Sequence, residues 1–283
     1  MEIKNVCVIG AGVMGAGVAQ IIAINGYSVN LVDLSVEILN NVKKKIEMNL
    51  EQHYVAHNKF SQEEAIEILN NIHYYTKIEE AVNDVQLVIE TIYEDMNLKQ
   101  VLFAKLDSIC EKHVILASNT SSLSITDIAS KSKNQDRIVG IHFFNPATVM
   151  KLIELIKGDN TSAETLEIAR EFSRGLKKTV VTINDSPGFI TSRLIYVLCN
   201  EAINMKMEGI ASIEDIDTAC KLAFNFPMGP LELSDLVGLD IFNNIGDYLN
   251  NEFGDKYKPS FLLKKMVRNK QLGRKSRKGF YDY

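Results

Sequence analysis

Val6-Cys-Val-Ile9 runs without a break into Gly10-Ala-Gly12-Val-Met-Gly15, and Asp33 follows the next apolar run, Ser28-Val-Asn-Leu-Val32. A strand pattern, a G-x-G-x-x-G turn, a helical pattern and then an acid is the order of a dinucleotide-binding βαβ unit. Gly10 permits the tight turn, Gly12 lets a pyrophosphate approach the backbone, and Gly15 lets helix and strand pack closely. Val13 and Met14 open the helix whose N-terminus faces the phosphate charge, so they join the three glycines in the expected cofactor set. The Asp33 carboxylate is placed to accept hydrogen bonds from the adenosine ribose hydroxyls and to repel a 2′-phosphate, which favours NAD over NADP.

Working outward from this unit, short β-rich runs alternate with helical patterns through the first two-thirds of the chain, as in a doubly wound parallel sheet with right-handed crossovers. Strands are expected at Asn5–Ile9, Ser28–Val32, Gln86–Glu90, His113–Ala117, Arg137–His142, Lys151–Ile156 and Val180–Ile183. Helices are expected near Met14–Asn25, Val36–Val55, Asn97–Glu111 and Ala163–Arg174. Ser61-x-x-Glu64 is a capping-box pattern, so residues 35–71 read as a helical hairpin arm rather than one plain crossover. After Val180–Ile183 the strand signal stops, Asp185-Ser-Pro-Gly188 punctuates the chain, and helical patterns such as Phe189–Glu208 and Ile213–Phe224 follow. The expected architecture is therefore a Rossmann-type α/β domain over residues 1–186 and a smaller all-α domain over 187–283.

Composition sets wide bounds. At 46% hydrophobic and 24% charged residues the chain is neither disordered nor a polytopic membrane protein. Net charge is −5, yet residues 264–278 hold eight basic side chains and no acid, a solvated or phosphate-facing end rather than a nucleic-acid tail. Val6–Ile24 is an uncharged run, but glycines at 10, 12, 15 and 17 interrupt it and no basic segment precedes it, which argues against a membrane span or signal peptide. Cys7, Cys110, Cys199 and Cys220 lie in apolar segments without C-x-x-C spacing, so neither a disulfide framework nor a metal site is indicated, and a reducing cytoplasmic home is expected.

In an open α/β sheet, ligands sit beyond the carboxyl ends of the strands. Two strand exits carry polar clusters, Ser118-Asn-Thr-Ser-Ser122 and His142-Phe-Phe-Asn145-Pro146. Only His142 among the five histidines has such a position. His53, His57, His73 and His113 fall on helices or strand starts and read as solvated or packing residues. Glu154, an acid among aliphatics in Lys151-Leu-Ile-Glu-Leu-Ile156, needs a partner, and His142 is the natural one. Alcohol oxidation requires a base for the hydroxyl proton, and a carboxylate on the far imidazole nitrogen sets the tautomer. Spacing alone leaves a purely structural His–Glu bond equally open.

Taken together, the sequence resembles the L-3-hydroxyacyl-CoA dehydrogenase family, especially its short-chain 3-hydroxybutyryl-CoA members. The resemblance rests on Ser118-Asn-Thr-Ser-Ser-Leu123, His142-Phe-Phe-Asn-Pro146, Pro187-Gly-Phe189, Pro227-Met-Gly-Pro230 and Gly279-Phe-Tyr-Asp-Tyr283, spanning nearly the whole chain. It implies NAD-dependent interconversion of 3-hydroxyacyl-CoA and 3-oxoacyl-CoA, with His142 as acid/base, Glu154 orienting it and Ser121 hydrogen-bonding the 3-oxygen. It also implies that Glu94, Lys99, Asn119, Ser121, Asn145 and Lys275 meet the cofactor, that Asn145 reaches substrate, that the arm holds coenzyme A, with the family's usual lysine falling near Ala56 so that Lys59, His53, His57 or the basic C-terminal segment takes over part of its role in substrate binding, and that a homodimer forms through the C-terminal helices.

The chain departs from the family pattern in places. Ser192 stands where the family carries an asparagine that contacts substrate; a hydroxyl is shorter, and a contact worth ~1–3 kcal/mol is weakened. The arm stretch Glu51-Gln-His-Tyr-Val-Ala-His-Asn-Lys59 holds one lysine where the family usually offers several to coenzyme A phosphates. Thr148 replaces a usual proline, Tyr93 stands near the nicotinamide strand end, and Arg277 replaces a glycine. Two other readings stay open: a gulonate- or carnitine-type dehydrogenase of the same fold acting on a free 3-hydroxy acid, and an NADH-binding protein with weakened catalysis.

Overall fold

The computed structural model describes residues Met1–Tyr283, which form two compact units, Met1–Asp185 and Ser186–Tyr283. The first is built on eight strands: β1 (Asn5–Ile9), β2 (Ser28–Val32), β3 (Ile72–Tyr75), β4 (Leu87–Glu90), β5 (Ile115–Ser118), β6 (Ile138–Phe143), β7 (Leu152–Lys157) and β8 (Thr179–Asn184). Their order across the sheet is β3-β2-β1-β4-β5-β6-β7-β8. The direction of winding reverses between β1 and β4, and that switch point is where an open α/β sheet leaves a crevice for ligands.

The all-parallel expectation is corrected in one respect. β6 and β7 pair antiparallel, so β7 and β8 run against the rest of the sheet. Residues 144–151 are too few for a crossover helix, and a short connection returns the chain antiparallel. A second correction concerns the arm. Helix Val36–Leu50 gives way to a π-turn, Glu51–Val55, before helix Gln62–Asn70, and the chain then enters β3, an edge strand that the expected strands omit. β3 has only four residues and a weakly buried pattern, so its alternation carries no periodic signal. The capping box is present: Ser61 Oγ accepts from the Glu64 N–H, and the Ser61 N–H donates to Glu64 Oε2 at 2.7 Å.

β1, β4, β5 and β6 are almost wholly buried because helices cover both faces. Val6, Val8, Leu31, Leu87, Ile89, Ala117, Val139 and Ile141 form the centre of this core. A packed sheet of this kind makes the strand exits rigid platforms for side chains.

The second unit is helical, with helices Thr191–Met207, Ile213–Phe224, Pro230–Val237, Leu239–Phe253 and Phe261–Arg268. Its separate core gathers Tyr196, Cys199, Ile203, Leu231, Phe242 and Leu263. Asp235 and Asp217 secure the chain's last residues: the Phe280 and Tyr281 N–H groups donate to Asp235, and the Tyr281 hydroxyl donates to Asp217. No helix in either unit is long and apolar enough to cross a membrane. Arg277 adopts φ 57°, the left-handed region. A side chain there carries a strain of about 1 kcal/mol that glycine avoids, so Arg277→Gly is expected to raise stability by about that amount in urea unfolding. Unchanged or lower stability would count against the strain.

Candidate active site

The glycine turn is assembled from β1, β2 and β4. Gly10 has φ 98° and needs the absence of a Cβ. A Cβ on Gly15 would lie 1.8 Å from the Gly10 carbonyl oxygen and 2.6 Å from Thr91 Oγ1, so only glycine lets helix Val13–Ile24 start this close to the strand. Gly12 differs: a Cβ there meets nothing within 4 Å, so its bareness serves no contact inside the protein and leaves room at the mouth. The helix N-terminus has no side-chain cap, which leaves its first N–H groups directed at whatever occupies that space. Asp33 Oδ2 accepts from the Ala11 N–H at 2.9 Å and Oδ1 from the Ser35 N–H at 3.2 Å, which fixes the carboxylate beside the turn.

Large apolar side chains are also left uncovered around this mouth. Val13 is 75%, Leu34 90% and Tyr93 86% exposed, each in the first residues after β1, β2 or β4. These features fit a dinucleotide: bare backbone and free N–H groups for the pyrophosphate, a fixed acid for the ribose, and apolar surface for the flat rings.

Further along the sheet, His142 and Glu154 face each other directly across the antiparallel β6–β7 pair. Opposed residues in such a pair project to the same side, within side-chain reach. His142 Nδ1 and Glu154 Oε2 stand 2.8 Å apart, both side chains buried. The Phe144 ring lies 4.4 Å from the imidazole, centroid to centroid, and limits its rotation. A buried carboxylate is tolerated when it is paired, and here the pairing sets the imidazole's orientation.

Between turn and dyad lies a polar network that closes the exits of β4 and β5. Lys99, 1% exposed, donates to Glu90 Oε1 at 2.6 Å and lies 3.3 Å from Glu94 Oε2. Glu90 Oε2 accepts from Ser118 Oγ at 2.7 Å, and Glu94 Oε1 accepts from Thr120 Oγ1 at 2.5 Å and the Ser121 N–H at 2.9 Å. Burial raises the Glu90 carboxyl and outweighs Lys99 and the donors from Ser118 and Ile92. For Glu94 burial also raises, but the Lys99 ammonium and the Thr120 and Ser121 donors prevail, and the group is held below its usual range. Asn119 Oδ1 accepts from the Phe143 N–H at 2.8 Å, tying this loop to the residue after His142.

Ser121, Glu94, Lys99 and Asn119, all singled out from sequence, are thus in one network, and Glu154 reaches His142. Lys99 itself is buried against carboxylates. Glu90 and Thr91 were missed, and Ser118 and Thr120 were read only as part of the strand-exit cluster, although Glu90 carries a signal akin to that of Glu154, an acid adjoining an aliphatic run, Leu87-Val-Ile-Glu90. Asn145, Lys59 and Lys275 make no hydrogen bond to this network. Asn145 is exposed in the turn after β6, and Lys59 is exposed on the arm, its ammonium 5.3 Å from the Tyr54 ring centre. In the helical unit, Ser192 is buried in the first turn of its helix, and Lys275 donates to Asp240 at 2.6 Å.

Comparison with known proteins decides the family. Residues 5–186 match the model of the 3-hydroxyacyl-CoA dehydrogenase NAD-binding domain, and residues 188–283 match that of the C-terminal domain. The chain belongs to the 3-hydroxyacyl-CoA dehydrogenase family. Among members of that family, it is 44% identical to a 3-hydroxybutyryl-CoA dehydrogenase of Clostridioides difficile, over 99% of both chains. It is 44% identical to the mitochondrial hydroxyacyl-coenzyme A dehydrogenase of Homo sapiens, over 99% of this chain and 91% of the human one. The crystal structure of the (S)-3-hydroxybutyryl-CoA dehydrogenase of Ralstonia eutropha superposes with a TM-score of 0.96 at 38% identity, covering 100% of this chain and 99% of that one. For a 3-hydroxyacyl-CoA dehydrogenase family member the cofactor is NAD, in agreement with the Asp33 reading.

Proposed function

We propose that this protein interconverts (S)-3-hydroxyacyl-CoA and 3-oxoacyl-CoA of short chain length, 3-hydroxybutyryl-CoA and acetoacetyl-CoA above all. The observation that carries the reading is the His142–Glu154 pair at 2.8 Å on the exit of β6. Bound NAD supplies the hydride acceptor in oxidation, and NADH the donor in reduction. His142, with Nδ1–H donated to Glu154, carries its lone pair on Nε2 and takes the proton of the 3-hydroxyl there. The Glu154 carboxylate stabilises the imidazolium so formed, and in reduction the same Nε2–H returns its proton to the 3-oxygen. Ser121 donates a hydrogen bond to that oxygen and orients it. Asn145, Glu94 and Asn119 serve the cofactor's nicotinamide side, and by the family's pattern Ser192 serves the substrate less well than asparagine.

We read the working form as a cytoplasmic homodimer. The helical unit leaves Leu194, Val197, Leu222, Phe224 and Phe261 exposed, more apolar surface than a lone unit needs. Four free cysteines accord with a reducing compartment.

A second reading, a dehydrogenase of free 3-hydroxy acids, is favoured by the arm's single lysine. NADH oxidation with acetoacetyl-CoA, compared with free acetoacetate, separates the two. Activity on the thioester, absent on the free acid, is expected, with Ser192→Asn raising kcat/KM about 5-fold or more, the equivalent of ~1 kcal/mol. Turnover of acetoacetate alone would reverse the choice of substrate.

A further inference from the structure

Glu90 has no part in the chemistry described so far, yet it is wholly buried, lies at the end of a central strand and accepts three hydrogen bonds, from Lys99, Ser118 and the Ile92 N–H. Lys99 therefore serves two carboxylates, Glu90 and Glu94. A pair needs only one of them, and a second buried carboxylate is costly unless its geometry is used. The geometry is used on the loop that carries Ser121. Glu90 Oε2 holds Ser118 at the loop's start, whose Oγ in turn accepts from the Thr120 N–H at 3.2 Å. Glu94 Oε1 holds Thr120 and the Ser121 N–H at its middle, while Lys99 locks the two carboxylates to each other.

We propose that Glu90 is a positioning residue for the reaction: through Ser118 on one oxygen, and through Lys99 and Glu94 on the other, it sets where Ser121 stands. The inference rests on the proposed contact between Ser121 and the substrate's 3-oxygen. Glu90→Gln is nearly the same shape and keeps an acceptor for Lys99, but it removes the charge that divides the ammonium between two acids. Lys99 is then drawn to Glu94 alone, and the Gln amide meets Ser118 as a donor where an acceptor stood.

Kinetics of four proteins test this: wild type, Glu90→Gln, Ser121→Ala and the double variant, with acetoacetyl-CoA at saturating NADH. Each single change is expected to lower kcat about tenfold, as for loss of one charge-assisted hydrogen bond. The double variant is expected to be no slower than Ser121→Ala, because residues acting as one unit are not additive. Losses that multiply, a rise confined to the KM for NADH, or a lower Tm with wild-type kcat would each overturn the role of Glu90. Wild-type kcat in Ser121→Ala would instead remove the Ser121 contact on which the inference rests. Should Glu90→Gln fold poorly, Ser118→Ala breaks the same link without touching charge. About a threefold loss, again absorbed in the Ser121→Ala background, is expected there, and independent losses would defeat the proposal.

Discussion

Replacing His142 by glutamine is expected to lower kcat for acetoacetyl-CoA reduction by roughly 10²–10⁴-fold, the usual worth of a general acid/base, with NADH affinity unchanged. Glutamine is the informative substitution because its amide can still donate to Glu154. Alanine removes the partner of a buried carboxylate and is expected to cost about 3–5 kcal/mol of stability as well, so loss of activity there mixes chemistry with unfolding. Glu154→Gln completes the set. An amide at residue 154 offers either a donor or an acceptor to Nδ1, no longer selects the tautomer and no longer stabilises imidazolium, so a loss of about 10–100-fold in kcat is expected. Stopped-flow or steady-state rates on folded protein, checked by circular dichroism, give the answer. A His142→Gln enzyme with more than a tenth of wild-type kcat would mean that the proton comes from elsewhere.

The second large effect separates the two roles read for Gly12 and Gly15. Gly12→Ala is expected to fold with wild-type Tm, since the added methyl meets no protein atom within 4 Å and the φ of −67° is ordinary for alanine. Its methyl is expected to crowd a pyrophosphate laid against the turn. An overlap of about 1–3 kcal/mol raises the Kd for NADH about 5–150-fold. Gly15→Ala is expected to fail differently, because its Cβ would sit 1.8 Å from a backbone oxygen. Relief requires the helix to shift away from β1, so a stability loss of about 3 kcal/mol or more accompanies the loss of binding. Fluorescence titration with NADH alongside urea unfolding reads both quantities. A Gly12→Ala protein that binds NADH normally would place the pyrophosphate elsewhere, and a Gly15→Ala protein with wild-type stability would contradict the packing.

How far the residues alone could be read follows from the range of the forces concerned. Strand and helix periodicity, the glycine turn with its acid, the capping box at Ser61 and the separation of α/β from helical unit near Ser186 are all carried by neighbours in sequence, so local pattern sufficed to find them. The antiparallel β6–β7 turn was legible too, in the shortness of residues 144–151, but went unread in favour of a uniform parallel sheet. The short edge strand β3 had no pattern long enough to register.

The order of residues was enough for the fold class, the cofactor turn and the suspicion that an imidazole at residue 142 works with an acid at 154. The folded chain was needed to show that the two are opposed across one strand pair, how close a Cβ on Gly15 would come to the Gly10 carbonyl, that Arg277 takes a left-handed backbone, and that one buried ammonium joins Glu90 to Glu94 beneath the Ser121 loop. The reason is physical. Turns and caps are made between residues a few positions apart, whereas strand register and the sharing of a buried charge depend on groups that only the closed sheet brings within a few ångströms of each other.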